Sequence, residues 1–371
     1  MSVVTTGHER LFTPLRLREV ELRNRLGMAP MSQYSADPAA HTSTAWHLPH
    51  YVARARGGVG LIIVEATAVS PDALVTRHDI GLWNPVQREG LAELAEYIAE
   101  AGAVPGMQLS HGGRKGSRTR PWDGDAWLRP EDGGWTVTGP SAVPFADGYA
   151  VPHEATHATL ERIVAAFRNS ALLALEAGFR MLELHAGHGR LLHSFLSPIA
   201  NRRDDCFGGG FDNRVLLLLE TVSAVREVWP PELPLAVRLS CEDAEPGGWS
   251  MEDTLRLCPR LIHAGVDLID CTSGGIRRPQ RRRPTPGYQV PYATRIREQT
   301  NVATAAVGLI TDMRHGEEIV ATGHADMVLM GRRLLTDPQL PLRSASAWRL
   351  IPPPYRRAVQ TVPPHDHMPE L

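Results

Sequence analysis

ALLALEAGFRMLELHA, residues 171–186, joins two kinds of segment at a glycine. Before Gly178 the apolar residues recur at helical spacing. After it comes a short, nearly continuous apolar run, as expected of a strand buried on both faces. An Ala-Gly pair at the joint suits a left-handed helix C-cap, and the short gap suits a helix-to-strand connection. The same sentence is spelled again at EYIAEAGAVPGMQLS (96–110), at PRLIHAGVDLIDCTSG (259–274) and, more loosely, at IVATGHADMVLMG (319–331).

Eight such runs can be counted: RLGMAP (25–30), GLIIVEA (60–66), VPGMQLS (104–110), MLELHA (181–186), LAVRLS (235–240), LIDCTSG (268–274), ATAAVG (303–308) and MVLMG (327–331). Helical patterns lie between most of them. One carries Ile163, Val164, Phe167, Ala171 and Leu175 on one side, and another opens with Ser250 and Asp253 in a capping-box arrangement. Repeated strand–helix units predict an α/β fold, a (β/α)8 TIM barrel, with the chain 1–371 as a single domain. A doubly wound sheet is the competing arrangement, but no GxGxxG follows the first strand. Two segments break the repeat. Residues 112–157, rich in Gly, Pro and Trp, read as a cap after strand three, with Trp122, Trp127 and Trp135 as its core. The second, GGIRRPQRRRPTPGYQVPY (274–292) after strand six, carries Arg277, Arg278, Arg281, Arg282 and Arg283, a run that suits a solvated loop or an anion-binding role. Beyond the barrel, residues 345–371 form a Pro-rich tail.

The bulk numbers narrow the function. The chain has 371 residues, 43% hydrophobic and 22% charged, with a net charge of -2. Such a balance gives no basic field for nucleic acid. No apolar run is long enough for a membrane span, and the N-terminus lacks a secretory pattern. The four scattered cysteines suit reduced thiols in a cytoplasmic protein and no Cys-rich metal site.

In barrels the active site lies at the C-terminal ends of the strands. Those ends carry Pro30, Met31 and Ser32; Glu65 and Ala66; Gln108; His185 and His188; Arg238; Ser273 and Gly274; Gly308; and Gly331 with Arg332. The set holds no close carboxylate pair and no nucleophile–base arrangement for hydrolysis. Glycines and an arginine after the last two strands suit a phosphate. HxxH on its own suits a catalytic pair, a core pair or two metal ligands, and no third ligand is apparent.

Taken in order, LFTPLRLREVELRNRLGMAPMSQYS, GLIIVEATAV, MQLSHGGRK, ELHAGHG, FLSPIANRRDDCFGG, FDNR, AVGLIT and GRRLLTDP resemble the Old Yellow Enzyme family of FMN-dependent ene-reductases, in its xenobiotic reductase A-like subgroup. The resemblance covers nearly the whole chain. It implies hydride transfer from NADPH or NADH through FMN to the C=C bond of an α,β-unsaturated carbonyl compound. It places Ala29, Pro30, Met31, Ser32 and Ala66 beside the flavin ring, Gln108 and Arg238 on its pyrimidine edge, and Gly308, Gly331 and Arg332 at its phosphate. Ser32 stands where the subgroup often has a redox-tuning cysteine. His185 and His188 become the pair that binds the carbonyl oxygen, as donors that stabilise charge growing there. Tyr34 becomes a substrate contact. Tyr355, Arg356 and Arg357 resemble a tail that completes a neighbouring protomer's site, which implies a homodimer or higher even oligomer.

One position departs from the family. Its usual HxxHGY ends in a proton-donating tyrosine, and this chain has Arg190. A guanidinium is a poor acid near neutrality. Arg190 therefore directs attention to three outcomes: a proton from water, Tyr34 or Tyr288; an acidic substrate bound by Arg190; or a redox-neutral isomerase or a desaturase on the same scaffold.

Overall fold

The computed structural model describes residues 10–278, 284–343 and 350–356. Eight parallel strands close into a barrel: β1 (Leu26–Met28), β2 (Leu61–Ala68), β3 (Val104–Ser110), β4 (Met181–Ala186), β5 (Leu235–Ser240), β6 (Leu268–Thr272), β7 (Ala303–Ala306) and β8 (Met327–Met330). Each strand pairs with its neighbours in sequence, and β8 closes on β1 through Val328 opposite Leu26. All eight predicted runs are therefore barrel strands. Each is short and apolar because one face meets the barrel interior and the other meets the helices.

Helices α1 (His47–Arg56), α2 (Pro85–Glu100), α3 (His157–Glu176), α4 (Leu216–Arg226), α5 (Met251–His263), α6 (Val290–Thr300) and α7 (Met313–Ala321) form the outer ring. The α3 helix starts where the Thr156 hydroxyl accepts from the Thr159 amide, and it buries Leu160, Ile163, Phe167, Ala171 and Ala174. Removing a side chain such as Phe167 from water is worth about 1.5–3 kcal/mol. Helix α5 opens with the Ser250–Asp253 capping box. The joint glycines Gly102, Gly178, Gly265 and Gly323 all take positive φ, between 77° and 99°. Only a residue without Cβ turns the chain there at no steric cost, which is why the signal was readable.

Strand β2 outruns its predicted end at residue 66 and continues to Ala68. Its register against β3 shifts between Val64 and Thr67. Within that irregularity Glu65 turns away from the barrel mouth. It accepts from the Gln33 amide at 2.7 Å and from the Tyr51 hydroxyl at 3.1 Å, and so fixes the loop after β1.

The excursion between β3 and α3 holds three short 3-10 turns and one two-residue strand pairing, Thr138–Gly139 with His153–Glu154. The expected tryptophan core is not there: Trp122 and Trp127 are 62% and 38% exposed, and Trp135 is half-buried. Buried Val137, Phe145 and Ala150 take that place, with arginines satisfying carbonyls. Arg114 donates to Pro144 O at 3.1 Å, to Val143 O and to Ile276 O, which ties the cap to the loop after β6. A Gly- and Pro-rich segment has few periodic hydrogen bonds of its own, so its carbonyls need side-chain donors.

Candidate active site

Barrel register brings the site residues together. Gln108 lies opposite Glu183, and Arg238 lies between His185 and Asp270. Glu183 and His185 are two apart on β4, so both point to one face. The imidazoles of His185 and His188 meet edge to face with centroids 5.3 Å apart.

Their hydrogen bonds assign their protons. His185 Nδ1 accepts from the Gly187 amide at 3.3 Å, which puts the hydrogen on Nε2. His188 Nε2 lies 2.8 Å from Thr272 Oγ1, and that hydroxyl already accepts from Gln289 Nε2 at 3.0 Å. Gln289 Nε2 is a donor only, so among the described residues His188 Nε2 is the one acceptor within reach of the Thr272 hydrogen, and we assign the histidine proton to Nδ1. Neither His185 Nε2 nor His188 Nδ1 has a protein acceptor, and neither is sealed from solvent. Burial holds both rings far below the ordinary imidazole range; the neighbouring His188 ring adds to this at His185, and the Arg238 charge adds to it at His188. Both are neutral at pH 7 and present one N–H each.

The backbone here is strained into place. His188 and Gly189 take φ of 54° and 71°, and Gly275 takes 89°. A Cβ on Gly275 would meet His188 Cα at 2.5 Å, so the loops after β4 and β6 are in direct contact. The His188 amide donates to Ser240 Oγ at 2.8 Å. Lys115 Nζ donates to His188 O at 2.9 Å. Burial, and Arg190 after it, bring the Lys115 pKa down to about 7. Behind the loop, His193 Nδ1 accepts from the Gly189 amide at 2.8 Å and its Nε2 faces Asp243 at 3.0 Å, with both side chains fully buried.

Deeper in the barrel, Gln108 Nε2 donates to Glu183 Oε1 at 2.6 Å, and Arg238 Nη1 lies 3.2 Å from Asp270 Oδ2. Burial pushes both carboxyls up. Asp270 adds to the rise at Glu183, and the Arg238 charge opposes the rise at both.

A cleft of about 200 Å³ opens beside these groups, lined among others by Ala29, Pro30, Met31, His188, Arg238, Thr272, Gly308, Gly331 and Arg332. Gly308 has φ of 114°, and a Cβ on Gly331 would meet Met31 Sδ at 3.2 Å, so bare backbone faces the cleft at both points. Arg238 Nε is sealed from solvent and has no acceptor. These features fit FMN: an arginine donor for an anionic ring edge, and glycine amides with Arg332 for a phosphate. Ser32 and Ala66 are half-buried beyond the ends of β1 and within β2. Tyr34, with φ of 52°, packs edge-on to Trp122 at 5.7 Å. Its phenol is raised by burial first, and the Arg190 charge opposes that rise. Among the described residues no group of three or more His, Cys, Asp or Glu is placed for a metal ion. No helix is long and apolar enough to cross a membrane, again among the described residues.

Residues 10–349 match the model of the NADH:flavin oxidoreductase / NADH oxidase family. An NADPH dehydrogenase of Geobacillus sp. (strain WCH70) is 44% identical over 335 residues, 90% of this chain and 93% of that relative. The chain belongs to this family. It is a flavin oxidoreductase of the Old Yellow Enzyme type, with FMN as cofactor and NAD(P)H as reductant. The structure of a morphinone reductase is similar at 27% identity and a TM-score of 0.74, over 91% of this chain and 90% of that one. An old yellow enzyme homologue from Zymomonas mobilis shares the fold at 24% identity and a TM-score of 0.75, over 90% and 91% of the two chains.

Sequence reasoning found most of the constellation but not its supports. Thr272, Gln289 and Lys115 were missed, although Lys115 stands in HGGRK directly after a strand end, where a site residue is expected. Tyr355 and Arg356 are exposed, and Arg356 Nε donates to Ile351 O within its own tail at 3.2 Å. Arg357 lies outside the described residues, as do Arg281, Arg282 and Arg283.

Proposed function

We propose that this oxidoreductase reduces the C=C bond of an α,β-unsaturated carbonyl compound. FMN, held by Arg238 at its ring edge and by Gly308, Gly331 and Arg332 at its phosphate, would supply the two-electron redox chemistry between nicotinamide and alkene. In balance, NADPH, one proton and the enone give NADP+ and the saturated carbonyl compound. The observation that carries the reading is the pair of unpartnered N–H groups on the neutral rings of His185 and His188. Hydride arriving at the β-carbon drives negative charge onto the carbonyl oxygen. Two fixed donors stabilise that charge, and each is worth roughly 3 kcal/mol in the transition state. A cation would transfer its proton and collapse this role; the depressed imidazole pKa values prevent it. Arg238, next to Asp270, favours a negative charge on the flavin ring. Tyr34, kept protonated by burial, or water supplies the proton for the α-carbon.

Arg190 in place of the family's tyrosine favours a second reading, isomerisation or desaturation on the same site. We further propose one domain working in the cytoplasm as a homodimer or higher even oligomer; four free thiols and the exposed residues 353–356 support this. An oxygen-free titration tests the main reading: NADPH bleaches the flavin and an enone restores its colour. Bleaching without recovery refutes ene-reduction.

A further inference from the structure

We infer that the enone carries a carboxylate and that Arg190 is its receptor. This rests on the ene-reductase reading and narrows its substrate class. Arg190 ends the loop that carries His188 and precedes the short helix Leu191–Leu196. Its backbone is fixed: its amide donates to Gly187 O at 3.1 Å, and its carbonyl accepts from the Ser194 amide at 2.8 Å. Its guanidinium is not fixed by anything. Nε and Nη1 are sealed from solvent without an acceptor. No carboxylate among the described residues lies within salt-bridge reach of it.

Arg214 and Arg203 are buried arginines whose guanidinium groups are satisfied within the protein. Arg214 donates to Leu196 O at 2.8 Å and to Gly209 O at 2.6 Å. Arg203 donates to Ala155 O at 2.7 Å, to Pro140 O at 3.1 Å and to Asp205. Arg190 is different because of where it points. Its charge acts on His185, His188, Tyr34 and Lys115, so the guanidinium stands among the groups at the barrel mouth. The one carboxylate that also feels it, Asp79, is already occupied. Asp79 accepts from the Val75 amide at 2.8 Å and the Thr76 hydroxyl at 2.7 Å.

Arg190 is half-buried, and leaving two sealed guanidinium nitrogens without an acceptor is costly; an anion that arrives with the substrate offsets that cost. Nη2 is not sealed, so a carboxylate oxygen can reach the guanidinium there with a charge-assisted hydrogen bond. Lys115 Nζ, held on His188 O at 2.9 Å, brings a second basic group to the same loop.

The test compares holoenzymes of wild type, Arg190→Gln and Arg190→Lys on 3-oxocyclohex-1-enecarboxylate and on its methyl ester, which lacks the charge. Wild type should favour the acid. In Arg190→Gln the acid-to-ester ratio of kcat/KM should fall about 10- to 100-fold, the range of a hydrogen-bonded charge, and Arg190→Lys should recover part of it. An unchanged ratio overturns the inference, and so does a matching rise in KM for NADPH, which would assign Arg190 to the nicotinamide. If neither enone is reduced, ene-reduction itself fails. Equilibrium binding then decides the Arg190 role: 4-hydroxybenzoate, read by the flavin spectrum, should lose affinity in Arg190→Gln relative to 4-hydroxybenzaldehyde, and equal losses overturn it.

Discussion

Thr272→Val isolates the proton assignment on His188. Valine keeps the shape and removes the hydroxyl that lies 2.8 Å from His188 Nε2 and 3.0 Å from Gln289 Nε2. Gln289 keeps a second partner in Ser273 Oγ at 3.0 Å, so the loss falls on the histidine. Thr272 is 1% exposed, and water cannot readily replace its hydroxyl. An unsatisfied buried nitrogen costs about 1–3 kcal/mol. Without the hydroxyl nothing holds the proton on Nδ1, and the Nε2–H tautomer, which withdraws the donor from the mouth, becomes populated. A loss of about 1–2 kcal/mol in oxyanion binding follows, a 5- to 30-fold weaker Kd. The assay is a titration of oxidised holoenzyme with 4-hydroxybenzaldehyde, whose phenolate imitates the enolate, read by the flavin spectrum. Thr272→Ser should restore affinity. An unchanged Kd in a folded, flavin-loaded Thr272→Val protein refutes the assignment.

Two further outcomes concern stability. His50, brought down to about 3 by burial, His111, brought to about 4, and His185 and His188 are all neutral when folded. Their folded pKa values lie below the unfolded value near 6.5, so stability is full above that pH and falls as protons bind the unfolded chain. At pH 5.5 each costs roughly 1.4 kcal/mol, and Tm should drop steadily from pH 7.5 to 5.5; a flat profile contradicts this. Gly275→Ala should cost roughly 2–3 kcal/mol and weaken phenol binding, because φ is 89° and the new Cβ meets His188. Gly209→Ala, at φ 74° with no atom within 4 Å, should lower Tm less and leave phenol affinity as it is; the reverse order refutes the loop-contact argument.

The barrel was legible because its punctuation is local. A glycine at a helix end and an apolar run after it express backbone sterics and two-sided burial, and both leave a mark in the letters. Site positions followed, since strand ends are fixed once strands are. The cap was less legible. Trp122 and Trp127 looked like core, yet the segment buries Val137, Phe145 and Ala150 instead and is anchored by Arg114 and Arg118 on carbonyls and on Tyr149. Glu65 looked like a mouth residue, and a register shift turned it toward Gln33 and Tyr51. The histidine protons depend on Gly187, Thr272 and Gln289, and a contact between β6 and the loop before α6 leaves no trace in sequence spacing.

The central claim is that reducing equivalents pass from nicotinamide through bound flavin to the β-carbon of an enone held by His185 and His188. Its most direct test is an oxygen-free reaction with NADPH deuterated at the transferred position. Holoenzyme is bleached by one equivalent, freed of nucleotide, and mixed with cyclohexenone or 3-oxocyclohex-1-enecarboxylate. The account predicts that the flavin colour returns without oxygen, and that the saturated ketone carries deuterium at the β-carbon and a solvent hydrogen at the α-carbon. A flavin that stays bleached until air is admitted, with the enone recovered unchanged, would contradict it.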